Sequence, residues 1–328
     1  MLALEFLFDI KAISCPSLID CQSKNRRHGA THIHSTPPSD SQKPKEDMSP
    51  RTPIYFISHG GPDACHDTSH PVYTKLNALG KEIASLNSKP NPPRALLIFS
   101  AHWESDAGAG TIQVSNPSAP LPLIYDFYGF PAHYYKTRFP HRVDSEVGRR
   151  VVEVLNEGGI PATEVQRGLD HGVWVPLLVM FDGREEKMLP VVQVSLFPSE
   201  SGDEHLRLGR VVAKLREEGV VIIVSGMAVH NLGDFARMRG NPTPAGYTLS
   251  FDEALRQAVE SEPGEVRDGK MGDLLRRDDT RKAHPTLEHL LPVHIGVGAA
   301  GEDQGQRIWT MGEASVSWAQ FRFGRVES

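Results

Sequence analysis

Val220-Val221-Ile222-Ile223-Val224, followed by Ser225-Gly226-Met227-Ala228-Val229-His230-Asn231-Leu232, is the stretch whose reading decides the fold class. An unbroken β-branched run closed by small residues reads as a strand. Similar runs stand at Ile54–Ile57, Ala95–Phe99 and Val191–Leu196. Segments with a 3.6-residue apolar period lie between them. Val72–Leu86 places Leu76, Leu79, Ile83 and Leu86 on one face, and Ser145–Leu155 places Val147, Val151 and Val154 inward before Gly158-Gly159. Asp203–Glu218 carries Leu208, Val211, Val212 and Leu215 and stops at Gly219. Ser250 and Glu253 read as a capping box before Ala254–Val259. Arg307–Met311 and Val316–Phe323 read as antiparallel strands at an edge. Strands alternating with helices imply a single α/β domain, with a central mixed or largely parallel sheet flanked by helices.

The 328 residues suffice for one large domain, and 39% apolar with 23% charged residues is a globular composition. A net charge of −6 with no basic stripe argues against nucleic acid and favours a small-molecule partner. No stretch approaches the ~18 continuous apolar residues of a membrane span. Residues 1–51 differ in character. Met1–Ile13 is apolar but interrupted by Glu5 and Asp9, which makes a poor targeting segment. Ser23–Arg51 offers almost nothing to bury, so the extension is expected to be disordered or untranslated, with Met48 as a natural start for a domain spanning 52–328. Cys15, Cys21 and Cys65 form no disulfide or zinc-ribbon pattern, which fits a reducing, cytoplasmic setting. The sequence leaves the oligomeric state open.

Fifteen histidines are the informative excess. His59 follows the first strand in Ser58-His59-Gly60-Gly61-Pro62, and His102 follows the second in Ser100-Ala101-His102-Trp103-Glu104. His230 lies just beyond Val220–Val224. Three histidines at the carboxyl ends of three strands occupy the edge where open α/β sheets bind ligands. Gly60, Gly61, Ala101, Gly226 and Ala228 leave room for close approach. A lone histidine after a strand is most often a loop residue, but three converging on one edge suit a divalent ion with coordination positions left open. His171, in Leu169-Asp170-His171-Gly172-Val173-Trp174, begins a helix capped by Asp170 and running to about Phe181. The helix dipole there disfavours imidazolium, so His171 reads either as a base or as a capping-region residue without a role. His284, in Ala283-His284-Pro285-Thr286-Leu287-Glu288-His289, reads as orienting a substrate or as starting a short helix that carries Glu288 and His289. His28, His32, His34, His66, His70, His133, His141, His205 and His294 read as surface or loop residues. The proline-rich, aromatic stretch 117–140 either lines a site or packs on its own rings.

Ser58-His59-Gly60-Gly61-Pro62, Ser100-Ala101-His102-Trp103, Tyr128-Gly129-Phe130-Pro131, Leu169-Asp170-His171-Gly172-Val173-Trp174, Ser225-Gly226 with His230-Asn231-Leu232, and His284-Pro285-Thr286-Leu287-Glu288-His289 occur in one order along the chain. Together they resemble the class III extradiol ring-cleaving dioxygenases (LigB-like), in the 4,5-DOPA dioxygenase branch, over about Thr52 to Gly324. The resemblance implies one α/β domain with a metal held by His59, His102 and His230, and His171 as acid/base. It departs after Pro131: a Tyr-Pro-Ala-Pro-Gly-like stretch common in the family is replaced by Arg138-Phe139-Pro140-His141-Arg142, which bears on which diol fits.

The implied substrates are a small aromatic diol and O2. Fe(II) would chelate the two hydroxyls and lower their pKa, His171 would take a proton, and ring opening would give a muconic semialdehyde-type product. Such a site also binds Zn(II) readily, so purified protein is expected to carry zinc in part. A tri-histidine zinc hydrolase and a non-catalytic binding protein of the same fold are the rival readings.

Overall fold

The computed structural model describes residues 51–108, 110–238 and 240–326. The expectations for the N-terminal extension, with Cys15 and Cys21, therefore fall on residues outside the described ones, apart from Arg51.

The strands, in chain order, are β1 (Ile54–Ser58), β2 (Ala95–Glu104), β3 (Ile112–Ser115), β4 (Ala162–Val165), β5 (Val191–Leu196), β6 (Val220–Gly226), β7 (Val229–His230), β8 (Gly305–Trp309), β9 (Gly312–Glu313), β10 (Val316–Ser317) and β11 (Gln320–Phe323). Eight of them form a mixed sheet in the order β4-β3-β5-β2-β6-β1-β11-β8, and β7-β10-β9 form a small second sheet. The central neighbours β5, β2, β6 and β1 are parallel, whereas β11 runs antiparallel to β1 and β8 antiparallel to β11. The mixed, mostly parallel architecture flanked by helices is the one the sequence implies.

Both faces of the central strands are covered, which is why their runs are apolar without alternation. Successive side chains of β1 part to opposite faces. Ile54 and Phe56 join one core with the helices Ser145–Glu157, Gly202–Val212, Gly246–Val259 and Leu291–Ala300. Tyr55 and Ile57 join the other with Pro71–Leu86 and His171–Met180.

Several expectations are corrected. Strand β2 runs past Phe99 to Glu104, but its register against β5 breaks between those residues. Such an irregularity re-aims side chains, and His102 lies within it rather than after the strand. The helix Gly246–Val259 begins before Ser250, so no capping box forms: Ser250 Oγ donates to Asp279 (3.0 Å) and Glu253 pairs with Arg256. The segment around His284–Leu290 is irregular rather than helical, bounded by Thr280–Ala283 and Leu291–Ala300. Pro285 disfavours a helical conformation at His284. Arg307–Met311 and Val316–Phe323 pair in part as β8 with β11, but Val316–Ser317 leaves for the small sheet, where it pairs with His230.

His205 and His294, read as surface or loop residues, are fully buried on helices. Each ring makes one hydrogen bond, His205 Nδ1 to Ser201 O (2.7 Å) and His294 Nε2 to Met271 O (3.3 Å), and leaves its other nitrogen without a partner. Burial pushes both pKa values down to about 4. The neutral form is thus favoured in the fold, while the unfolded chain takes up protons near pH 6.5. Their contribution is present above about pH 6.5 and is lost as the pH falls towards 4, by up to roughly 3 kcal/mol for each. The melting temperature should fall over that window, and His294→Gln, which keeps a donor for Met271 O, should flatten the fall. An unchanged slope in His294→Gln would place the acid lability elsewhere.

Candidate functional site

Strand β1 delivers His59 one residue past its end, and β2 delivers His102 from its irregular tip. His59 Nε2 lies 3.2 Å from His102 Nε2, and His102 Nε2 lies 3.2 Å from the Nε2 of His289. The sequence assigns His289 only to a short helix with Glu288. His171 begins its helix with its ring centroid 3.9 Å from that of His102. His230, expected as the third ligand, stacks face to face on His289, with centroids 3.6 Å apart and planes at 15°. Ligand atoms of His59, His102 and His171 lie within 4.8 Å of one another, as do those of His230, Glu288 and His289. All the histidines expected at the site except His284 therefore converge with His289 at the carboxyl edge of the sheet.

The partners of the Nδ1 atoms favour a proton on that nitrogen in each ring. The Ser225 hydroxyl donates to the Gly172 carbonyl, so its oxygen accepts from His59 Nδ1–H (2.9 Å). His102 Nδ1 lies 3.1 Å from Asp126 Oδ2, and His289 Nδ1–H donates to Glu288 Oε1 (2.9 Å). A neutral imidazole that donates from Nδ1 carries a bare lone pair on Nε2. A bare lone pair on His102 Nε2 that lies 3.2 Å from those of both His59 and His289 is repelled by each unless a cation lies beside them. An ion with N-bonds of about 2.0–2.1 Å at tetrahedral angles separates its ligands by roughly 3.3 Å, so both His102 spacings suit a shared divalent metal. Metal-binding histidines usually have such a fixed partner on the other ring nitrogen. Burial, then the neighbouring imidazoles, hold the His59 and His289 pKa values well below the ordinary range, so both rings stay neutral.

The helix start at His171 differs from expectation in its cap. Asp170 occupies the N-cap position but caps nothing with its side chain. Its buried carboxylate instead accepts from Ser100 Oγ (2.7 Å), Arg167 Nη1 (3.0 Å) and Gln193 Nε2. The cap comes from Asp126, whose Oδ1 accepts from the His171 backbone N–H (3.0 Å) and from His171 Nδ1–H (2.8 Å). Burial lowers the His171 pKa, with His102 adding to the effect and Asp126 opposing it. For Asp126 itself burial acts to raise the pKa, yet hydrogen bonds from His102 and His171 hold it below the carboxylate range.

The aromatic stretch combines both of its readings. Phe127, Tyr135, Tyr125 and Phe130 pack on one another. Phe127 also meets His171 edge-on at 5.7 Å, so the loop reaches the site. His284 does not: it is fully buried and its Nε2 donates to Ala228 O (3.0 Å), beneath the segment that leads to His230.

Gly60 permits the close packing on which this edge depends. Its φ is +64°, and a Cβ would stand 2.2 Å from the Trp318 ring, whose Nε1–H donates to Glu313 (2.8 Å). Gly60→Ala should therefore cost roughly 2–4 kcal/mol, from backbone strain plus overpacking. Gly61→Ala meets only Phe130, at 3.9 Å, and should be close to neutral. Equal denaturation midpoints for the two variants would contradict this.

Residues 51–318 match the family described as the catalytic LigB subunit of aromatic ring-opening dioxygenase. The chain is 34% identical to a 4,5-DOPA dioxygenase extradiol of Beta vulgaris, over 82% of this chain and 95% of that protein. It is 30% identical to a protein of the same name from Escherichia coli K12, over 76% and 86%. A crystal structure of an uncharacterised Escherichia coli K12 protein superposes with a TM-score of 0.65 at 25% identity, covering 84% of this chain and all of the other. With a His-rich site fit for a metal at the expected sheet edge, the chain belongs to the LigB family and is an extradiol, aromatic ring-opening dioxygenase.

Proposed function

We propose that the chain opens a catechol-type, DOPA-like ring with O2, using Fe(II) held by His59, His102 and His289. The observation that carries this reading is that His102 Nε2 lies 3.2 Å from the Nε2 atoms of both His59 and His289. His289 takes the place first expected for His230, because its nitrogen is the one that meets His102. His230, stacked on His289 and held neutral by burial with a pKa of about 3, is read as a wall of the site rather than a ligand. The ion, when bound, supplies Lewis acidity towards both hydroxyls and brings diol and O2 together. His171 presents Nε2 as the base for a hydroxyl proton, since its Nδ1–H is committed to Asp126. Phe127 and Phe130, beside His171 and Gly61, are placed to bear on an aromatic ring. His284 supports the turn at Ala228 and has no direct part.

The names of the relatives support a catechol amino acid as substrate class. Zn(II) binding to the same nitrogens would give an inactive form. A reducing, cytoplasmic setting belongs to the same proposal and suits the free thiol of Cys65. Among the described residues, no helix is long and apolar enough to cross a membrane.

Protein reconstituted anaerobically with Fe(II) should consume O2 with a catechol and not with its monomethyl ether, which cannot chelate. Equal uptake with both would remove the diol from the mechanism. Anaerobic ester hydrolysis with Zn(II), and no oxygen uptake with Fe(II), would favour the hydrolase.

A further inference from the structure

Asp126 lies in the aromatic loop, yet its carboxylate reaches two histidines of the site at once. Oδ2 stands 3.1 Å from His102 Nδ1, and Oδ1 accepts from both the ring Nδ1–H (2.8 Å) and the backbone N–H (3.0 Å) of His171. We infer that Asp126 is a positioning residue that fixes the proton of both rings on Nδ1, so that His102 offers Nε2 to a metal while His171 offers Nε2 to a proton. The inference rests on the proposed metal-holding role of His102. Only a carboxylate serves, because every contact made to it comes from an N–H. Phe127, the next residue, meets His171, so the same side chain also ties the loop to the histidine it covers.

The contacts make the effect of an amide foreseeable. In Asp126→Asn the amide oxygen must face His171, where two N–H groups point at one atom. The NH2 group is then turned towards His102 Nδ1. His102 is forced to accept there and to carry its proton on Nε2, which leaves no lone pair for an ion. Asp126→Ala removes more contacts but imposes no wrong tautomer. The near-isosteric Asn variant should therefore bind metal worse than the Ala variant, an order that a purely structural role would not produce.

The test is Co(II) titration of metal-free protein, with 15N spectra of the histidine rings in the same metal-free samples. Expected is a Co(II) affinity lowered about 10–100-fold in Asp126→Asn, as for loss of an outer partner, and lowered less in Asp126→Ala. The His102 proton should move from Nδ1 to Nε2 in Asp126→Asn while His171 keeps its wild-type pattern. Unchanged His102 nitrogens in Asp126→Asn, or an affinity loss in Asp126→Ala as large as in Asp126→Asn, would overturn the inference. Wild-type protein that binds no Co(II) would overturn the proposed function instead, and the ring spectra would still decide what Asp126 does.

Discussion

His289→Ala should lose its metal, whereas His230→Ala should keep it. The two rings are stacked 3.6 Å apart, so the contrast cannot come from location alone. It comes from which nitrogen faces His102: the Nε2 of His289 lies 3.2 Å from it, with its lone pair freed by donation of Nδ1–H to Glu288. Removing a direct ligand should weaken binding by more than the roughly 10–100-fold that loss of an outer partner costs. His59→Ala and His102→Ala should behave like His289→Ala. His141→Ala is a suitable control, because its Nδ1 meets only Phe139 O in its own loop (3.1 Å). His205, a natural choice from sequence, is buried and would confound metal loss with unfolding. Metal analysis after dialysis decides the matter: full occupancy in His289→Ala together with loss in His230→Ala would restore His230 as the ligand.

His171→Gln should lower turnover by about 10²–10⁴-fold, the usual contribution of general acid–base catalysis, while metal content stays near wild type. The ring sits beside His102 but donates Nδ1–H to Asp126, leaving Nε2 to accept a proton from substrate. Its pKa is lowered by burial and by His102, so the base form persists below the ordinary imidazole value near 6.5. Activity should therefore fall as the pH drops through that lowered pKa, and the acid limb should vanish or move in His171→Gln. Loss of metal along with activity would make His171 a ligand. Oxygen uptake at nearly the wild-type rate would return it to the helix-capping region.

Local periodicity made much of this legible in the sequence. The buried strands β1, β5 and β6 and the helices Pro71–Leu86 and Ser145–Glu157 stand nearly where apolar spacing puts them, because each buries a continuous face. His59 was legible as a site residue because a strand end fixes its place, and His102 because β2 carries it to the same edge. Four-residue strands such as β3 and β4 carry too short a pattern to read. The proposed ligand His289 is hidden by its setting: it sits in an irregular segment after Pro285, so no strand end marks it, although the adjacent Glu288 is the kind of partner that role would need. Asp126 was hidden differently. Its contact with His171 spans 45 residues and depends on how a loop folds back, which no local spacing records. Asp170 shows the converse case, a good local cap whose carboxylate was drawn away by Ser100, Arg167 and Gln193.

The central proposal is one metal shared by His59, His102 and His289. Anomalous diffraction at the zinc edge from crystals of zinc-loaded protein tests that claim most directly. The expected result is a single peak about 2.0–2.1 Å from the Nε2 atoms of those three residues, with His171 and His230 outside bonding distance. A peak bound by His230 and Glu288 with His289, or no peak among His59, His102 and His289, would contradict it.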